Sequence, residues 1–147
     1  MLSRNHWAFL VVPALCLHSS AVFGDASDLS GCWKGESVAQ FLADGSSKVD
    51  QSGHCILEFT PNSIHSRCAG KNGTSEIDYR YRVLRPGVYA ATMTSHNFRP
   101  DLVGGEREYE YKIEGDQLRI TTNPQTTKPS PPTAAVRVVS ISRKVPC

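Results

Sequence analysis

Cysteine carries the clearest chemistry in this chain of 147 residues. Four cysteines follow an N-terminal segment that has the pattern of a secretory signal, and none belongs to a CxxC pair: Cys32, Cys55, Cys68 and Cys147. Exported chains fold in an oxidising compartment, where an even number of cysteines favours disulfides over metal or redox chemistry. We therefore expect two disulfides.

Aromatic residues and one cation form the second candidate group. Tyr79 and Tyr81 alternate along one segment, Tyr109 and Tyr111 along another, and Arg107 shares the face of the second pair. Rings that line a barrel offer apolar area with a hydroxyl, and Arg107 near a strand end could receive an anionic head group. The same tyrosines could instead fill a core, because eight strands enclose a space that side chains alone can occupy. Both alternatives stay open here.

Patterns for catalysis or metal binding are weaker. The chain has no GxSxG, HExxH or Walker sequence and no nucleophile with a base beside it. The histidines after the N-terminal segment are His54, His65 and His96, and a hairpin described below places Glu58 opposite His65. Two further ligands for a tetrahedral site cannot be named. We expect no enzyme activity, no metal and no cofactor.

Residues 1–24 have the composition of a secretory signal, with Arg4 before an apolar run at residues 7–17 and small residues before the cleavage point. That run is too short to span a bilayer, and no second one of membrane length follows. A formal net charge of +2 without a basic run gives no reason to expect nucleic acid as a partner. We predict a secreted or periplasmic domain at residues 25–147.

Period-two alternation runs from Gly31 to the C-terminus, interrupted by Gly, Pro, Asn and Asp, and no sustained helical stripe appears. Short links favour sequential antiparallel neighbours. We predict eight strands, at residues 31–38, 54–60, 63–69, 76–84, 88–96, 106–114, 117–122 and 135–144. Residues 43–53 are predicted to be a long loop. Residues 123–133, with four prolines, are predicted to be a stiff connector, with a lid or docking segment as the alternative.

Turn positions predict the strand registers. A turn at Gly115-Asp116 pairs Tyr111 with Ile120 and leaves the charged residues on the opposite face. The same turn pairs Ile113 with Leu118 and Tyr109 with Thr122. A type II turn at Pro86-Gly87 pairs Val83 with Ala90, Tyr81 with Thr92 and Tyr79 with Thr94.

Cysteine positions and strand order support each other. A turn at Pro61-Asn62 places Cys55 opposite Cys68. Cys32 begins the first strand and Cys147 follows the last, and these ends are neighbours only if the sheet closes. We therefore predict an all-β, eight-stranded antiparallel up-and-down barrel, closed by the disulfides Cys32–Cys147 and Cys55–Cys68.

The opening Gly31-Cys32-Trp33 resembles the Gly-x-Trp signature of the lipocalins, and residues 109–121 are similar to a hairpin of bacterial lipocalin-like domains. The resemblance implies that Trp33 plugs the barrel floor and that an arginine of the last strand, Arg137 or Arg143, packs over it. It also implies non-covalent binding of a small apolar or amphipathic ligand. The candidate ligand-binding residues are Trp33, Tyr79, Tyr81, Arg107, Tyr109 and Tyr111.

Two other small barrels offer alternatives. Gly31, Trp33 and Gly35 resemble the opening of the nitrobindins, which hold haem through a histidine, but no histidine lies in the last strands where that ligand is expected. Secreted inhibitors of metalloproteases are also eight-stranded barrels, and they act through a free N-terminal segment, here residues 25–30. The second function to consider is therefore a protein-binding module, such as an inhibitor of a secreted hydrolase.

Overall fold

The computed structural model describes residues 29–123 and 135–147. The predicted signal and most of the proline-rich segment lie outside these ranges. The described residues are almost entirely β-structure, with one short 3₁₀ turn at Pro100–Leu102. The strands are β1 (Gly31–Leu42), β2 (Ser47–Asp50), β3 (Cys55–Phe59), β4 (Ser63–Gly70), β5 (Gly73–Arg85), β6 (Val88–His96), β7 (Glu106–Glu114), β8 (Gln117–Thr122) and β9 (Ala135–Val145).

Eight of these strands close into an antiparallel barrel. β1 pairs with β3, each strand from β3 to β8 pairs with the next, and β9 returns to pair with β1. That last ladder, the seam, runs from Cys32 opposite Val145 to Leu42 opposite Ala135. The predicted fold class, an eight-stranded up-and-down barrel, is confirmed.

Both predicted disulfides are present. Cys32 at the start of β1 joins Cys147, which lies just beyond β9, with 5.3 Å between the two Cα atoms. Cys55 and Cys68 lie directly opposite each other on β3 and β4, with a Cα separation of 4.0 Å. The first bridge fastens the seam, and the second holds one hairpin in register.

The interpretation of residues 43–53 as a single loop is wrong. β1 continues to Leu42, turns, and pairs with β2. Asp44 stabilises the turn, because its Oδ1 accepts hydrogen bonds from the backbone N–H and the hydroxyl of Ser46, at 2.8 and 2.6 Å. Gly45 supplies the positive φ of 85° that the turn requires. A strand whose four residues are all exposed has no apolar face by which its alternation could be recognised.

Two of the three predicted registers are confirmed. In the β7–β8 hairpin Tyr111 lies opposite Ile120, and in the β3–β4 hairpin Glu58 lies opposite His65. The β5–β6 register is wrong by one residue: Val83 pairs with Tyr89 and Tyr81 with Ala91, and Tyr79 pairs with Met93.

A bulge causes that difference. Leu84 is an extra residue in β5, because Val83 pairs with Tyr89 while Arg85 pairs with Val88. The shift turns Tyr89 and Ala91 toward the barrel interior, where each is only 2% exposed. The predicted register would have put Tyr89 and Tyr81 on opposite faces of the sheet, so burial of both rings on one face is the physical reason for the bulge.

The barrel has a closed end, the floor, where β1 begins and β3 ends. Trp33 and Leu29 are completely buried there, and the indole Nε1 of Trp33 donates a hydrogen bond of 2.8 Å to the carbonyl of Leu29. The Lys144 ammonium lies 5.1 Å from the centre of the Trp33 rings, within the range of a cation–π contact. The predicted structural position of Trp33 at the floor is confirmed.

The predicted arginine over Trp33 is wrong, because the residue directly opposite Trp33 in the β1–β9 ladder is Lys144. Arg143 lies one position earlier, so it faces the other side of the sheet and pairs with Glu36 and Asp116. Arg137 belongs to the far end of β9, where its guanidinium lies 4.1 Å from the centre of the Phe41 ring.

Candidate ligand cavity

A cavity of about 160 Å³ lies inside the barrel above the floor. Every barrel strand except β1 contributes to its lining, through positions that alternate with outward-facing ones as barrel geometry requires. The lining residues are Leu57, Phe59, Ile64, Ser66, Tyr79, Tyr89, Ala91, Tyr109, Ile120, Thr122 and Ser140.

Polarity changes along the cavity from the floor toward the opposite end, the mouth. On β4, Ile64 comes first and Ser66 lies one inward position closer to the mouth. On β8 the same step leads from Ile120 to Thr122. Phe59 ends β3 at the floor side. The cavity is therefore apolar at its base and rich in hydroxyl groups toward its mouth.

Aromatic rings form the most ordered part of the wall. Tyr89 and Tyr109 stack with 5.0 Å between ring centres and planes 10° apart. Tyr89 also makes edge contacts with Phe59 and Tyr81, at 6.2 and 5.6 Å between ring centres. Offset stacking and edge contacts are the arrangements that aromatic quadrupoles favour. This wall is preorganised before any ligand arrives.

The predicted binding residues divide into two groups. Tyr79 and Tyr109 line the cavity, whereas Trp33, Tyr81 and Tyr111 belong to the packed core. The hydroxyl of Tyr81 illustrates this, because it donates a hydrogen bond of 2.9 Å to the carbonyl of Thr60 beside the floor. The interior is therefore packed in one part of the barrel and hollow in another. Ligand binding by these residues stays a prediction.

Arg107 is placed at the mouth side of the cavity. It precedes Tyr109 by one inward position, lies opposite Ala91 in the β6–β7 ladder, and is exposed. Burial raises the pKa of Tyr79 to about 12, and the positive charge of Arg107 acts in the opposite direction on that phenol. Burial likewise raises the pKa of Tyr109, again against Arg107. Both phenols are therefore neutral donors at physiological pH, beside a permanent positive charge.

Several small lining residues were not predicted as part of the site: Ser66, Ala91, Thr122 and Ser140. Two signals in the sequence pointed to some of them. The correct β3–β4 register places Ser66 opposite Leu57, and the correct β7–β8 register places Thr122 opposite Tyr109. Ala91 could not be predicted as a lining residue from the sequence, because the bulge at Leu84 decides which face of β6 turns inward.

A separate polar network crosses the outer wall on β4, β5 and β6. His65 Nδ1 lies 2.7 Å from Asp78 Oδ1, and the Ser95 hydroxyl donates to Asp78 Oδ2 at 2.7 Å. These two hydrogen bonds lower the pKa of Asp78, and the hydrogen bond from Ser95 has the larger effect. The carboxylate, rather than the imidazole, receives the serine hydrogen bond, so this is not the arrangement of a nucleophilic triad. No cluster of three metal-ligating side chains occurs in residues 29–123 and 135–147.

Comparison with known proteins supports the fold. No family model and no curated protein matches the sequence. A lipocalin-like protein from Bacteroides uniformis is similar in structure, with 18% identity, a TM-score of 0.53, and coverage of 80% of this chain and 99% of its own.

An uncharacterized protein from Bacteroides eggerthii is also similar, with 14% identity, a TM-score of 0.51, and coverage of 79% of this chain and 98% of its own. The part of this chain that the structure describes contains no helix with the length and apolar character needed to cross a membrane. The closed barrel, the buried Trp33 at its floor and these structural neighbours together identify the fold as lipocalin-like.

Proposed function

We propose that this protein binds a small apolar or amphipathic molecule non-covalently inside the barrel, as a secreted or periplasmic binding protein. The observation that carries the proposal is the cavity of about 160 Å³ with an apolar base and a hydroxyl-rich mouth. Two disulfides and the predicted signal support an oxidising compartment. The absence of a recognisable catalytic arrangement in the sequence favours binding over turnover.

The volume limits the size of the ligand. A dry cavity of ~150 Å³ is large enough for benzene, whereas sites for drug-sized ligands span ~300–1,000 Å³. A cavity of about 160 Å³ therefore suits a single ring or a short alkyl chain. A longer molecule would have to extend through the mouth into solvent.

Charge and hydroxyl positions indicate which end of the ligand enters first. The base of the cavity, with Phe59 and Ile64, offers no charged group, so an apolar end belongs there. Arg107 lies toward the mouth, and its charge acts on the neutral phenols of Tyr79 and Tyr109, so these three groups can donate to an anionic oxygen. A small carboxylic acid with an apolar tail is the ligand type that fits both ends.

A fluorophore titration tests the proposal. An apolar dye should bind saturably and be displaced by a short-chain fatty acid. Ala91→Leu adds apolar volume into the cavity and should weaken dye binding, because Ala91 lies on its wall. Ala43→Leu, at an exposed position in the turn between β1 and β2, is the matched control and should leave binding unchanged. Absence of saturable uptake by the wild-type protein would rule the proposal out.

A second pair of variants tests the polar end. Arg107→Gln should weaken binding of a short carboxylic acid but not of its uncharged alcohol. Arg80→Gln makes the same change of charge at an exposed position of β5 and should affect neither. Equal weakening of acid and alcohol by Arg107→Gln would mean that the arginine shapes the mouth without recognising charge.

The protein-binding alternative depends on residues 25–30 and on the prolines at residues 129–132. Nearly all of these lie outside the described residues, so that alternative stays a prediction. Deleting residues 25–28, which precede the buried Leu29, is its direct test, because a protein-binding module would then lose its partner while the barrel still took up the dye.

A further inference from the structure

One edge of β2 forms no hydrogen-bonded ladder with another strand in residues 29–123 and 135–147. β2 pairs only with β1, and all four of its residues are exposed. Val49, with 61% of its surface accessible, is the most exposed of the large apolar residues described. An open edge that presents an apolar side chain is a template for pairing with another chain.

The hairpin turn determines which backbone groups face that edge. The Leu42 N–H donates a hydrogen bond of 2.9 Å to the Ser46 carbonyl, so these two residues form a hydrogen-bonded pair. Such pairs alternate along an antiparallel ladder, which means that Lys48 and Asp50 direct their backbone groups toward β1. Ser47 and Val49 consequently direct their N–H and C=O groups toward the open edge.

We propose that a second copy of this chain pairs with this edge, in an antiparallel register with Val49 opposite Val49 of the other copy. Both valines then exchange their outward N–H and C=O groups across a two-fold axis. The same register places Lys48 of each copy opposite Asp50 of the other. The edge is therefore complementary to itself in charge as well as in hydrogen bonding.

Neighbouring registers are opposed by charge. Hydrogen bonding requires that the residues whose backbone groups face the open edge, Ser47, Val49 and residue 51, pair with one another. One strand can therefore shift only by two residues at a time relative to the other. A step in one direction places Lys48 opposite Lys48, and a step in the other places Asp50 opposite Asp50. Like charges directly opposite each other destabilise a strand pair. Only the register centred on Val49 brings unlike charges together.

Asp50 is held in the charged state that this pairing needs. Hydrogen bonding by Ser52, whose backbone N–H lies 2.8 Å from Asp50 Oδ1, lowers the pKa of the carboxyl group. On the other face of β2, Val49 lies opposite Ala39 of β1, and a second Val49 would extend this apolar row. One face of the paired strands thus has ion pairs between Lys48 and Asp50, and the other face has apolar contacts between the two Val49 side chains.

The dimer is expected to be weak. Two four-residue strands bury less surface than the ~1,200 Å² of a stable interface, so association should appear only at high concentration. Part of the stabilisation of the dimer comes from exposed ion pairs, which high salt screens. Dimerisation that weakens as salt increases is therefore the expected behaviour.

Sedimentation equilibrium of the oxidised protein from micromolar to millimolar concentration tests the proposal. The wild type should show a reversible monomer–dimer equilibrium. Lys48→Glu places a carboxylate opposite Asp50 and should raise the dissociation constant by at least about tenfold. The combined change Lys48→Glu and Asp50→Lys restores unlike charges in the same register and should restore the wild-type constant.

Two further variants separate this edge from the rest of the surface. Val49→Pro removes a donor that faces the open edge and should abolish the dimer while the barrel stays folded. Lys34→Glu makes the same change of charge as Lys48→Glu at an exposed position of β1 that lies beside β3, and should not alter association. A wild type that remains monomeric at millimolar concentration, or a dimer that tolerates Lys48→Glu, would overturn the proposal.

Discussion

The two halves of the barrel share one backbone but differ in what fills them. Toward the floor, the interior holds the large side chains Trp33, Tyr81 and Tyr111. Toward the mouth, small side chains such as Ser66 and Ala91 leave a cavity of about 160 Å³. Strand number and closure are the same in both halves, so the size of the inward side chains decides where this barrel is hollow.

Two serines of β9 show that a residue's own type does not decide whether its position is packed or lines the cavity. Ser142 lies opposite Leu118 and is 2% exposed, while Ser140 lies opposite Ile120 and lines the cavity. Both are serines beside an aliphatic residue on the same strand pair. What differs is the half of the barrel in which each serine lies, because the large rings of Trp33, Tyr81 and Tyr111 fill the floor half. Packing is a property of the whole layer.

Removing the disulfide at the floor should have the largest effect on stability. Cys32 and Cys147 are 115 residues apart, and replacing both with Ser should cost about 4 to 5 kcal/mol in the loop-entropy account. Cys55 and Cys68, nearer the mouth, are 13 residues apart, and the same change should cost about 3 kcal/mol. Guanidinium unfolding of both variants measures the difference. A larger loss from the short bridge would contradict this order.

Trp33→Ala should come next. The ring is fully buried, and its indole N–H has a partner in the Leu29 carbonyl, so truncation should cost about 3 to 5 kcal/mol. Thermal unfolding measures the change, with Trp33→Phe as a control that keeps most of the apolar volume. If the melting temperature of Trp33→Ala were unchanged, the floor could not be the structural half of the barrel.

A matched pair on β9 tests the comparison most directly. Ser142→Leu adds volume to a packed layer and should cost about 1 to 3 kcal/mol through strain. Ser140→Leu adds the same volume where a cavity exists, so it should cost less or stabilise the fold, while reducing dye uptake. Equal losses of unfolding free energy in the two variants would mean that the halves do not differ in packing.

The smallest effect at neutral pH concerns the buried phenols. Burial raises the pKa of Tyr79 to about 12, above its ordinary value of 10.0. Because the folded pKa is the higher one, this contribution to stability is complete below pH 10 and is lost as pH rises toward 12. Tyr79→Phe should therefore flatten the decline of unfolding free energy over that range. The same slope in both proteins would place the Tyr79 hydroxyl in solvent.

Most of the architecture could be predicted because its signals are local. Alternation identified the eight barrel strands, and the turns at Pro61-Asn62 and Gly115-Asp116 set two registers correctly. The even number of cysteines, together with their positions at strand ends, predicted both bridges and the closed seam. Each of these signals depends on neighbours along the chain or on one pairing across a short turn.

The missed features depend on residues distant in sequence. The exposed strand β2 has no apolar pattern, and it forms because β1 continues along the seam and offers it a partner. The bulge at Leu84 exists because Tyr89 gains more from burial among Phe59, Tyr81 and Tyr109 than a regular ladder would provide.

The sequence by itself therefore determined the eight barrel strands, the closure and the disulfides of this protein. Only the tertiary structure decided that Tyr79 and Tyr109 line a cavity while Trp33, Tyr81 and Tyr111 fill a core. The physical reason is that a void is set by the summed volume of side chains from eight strands. That sum is known only when every register, including those with bulges, is in place.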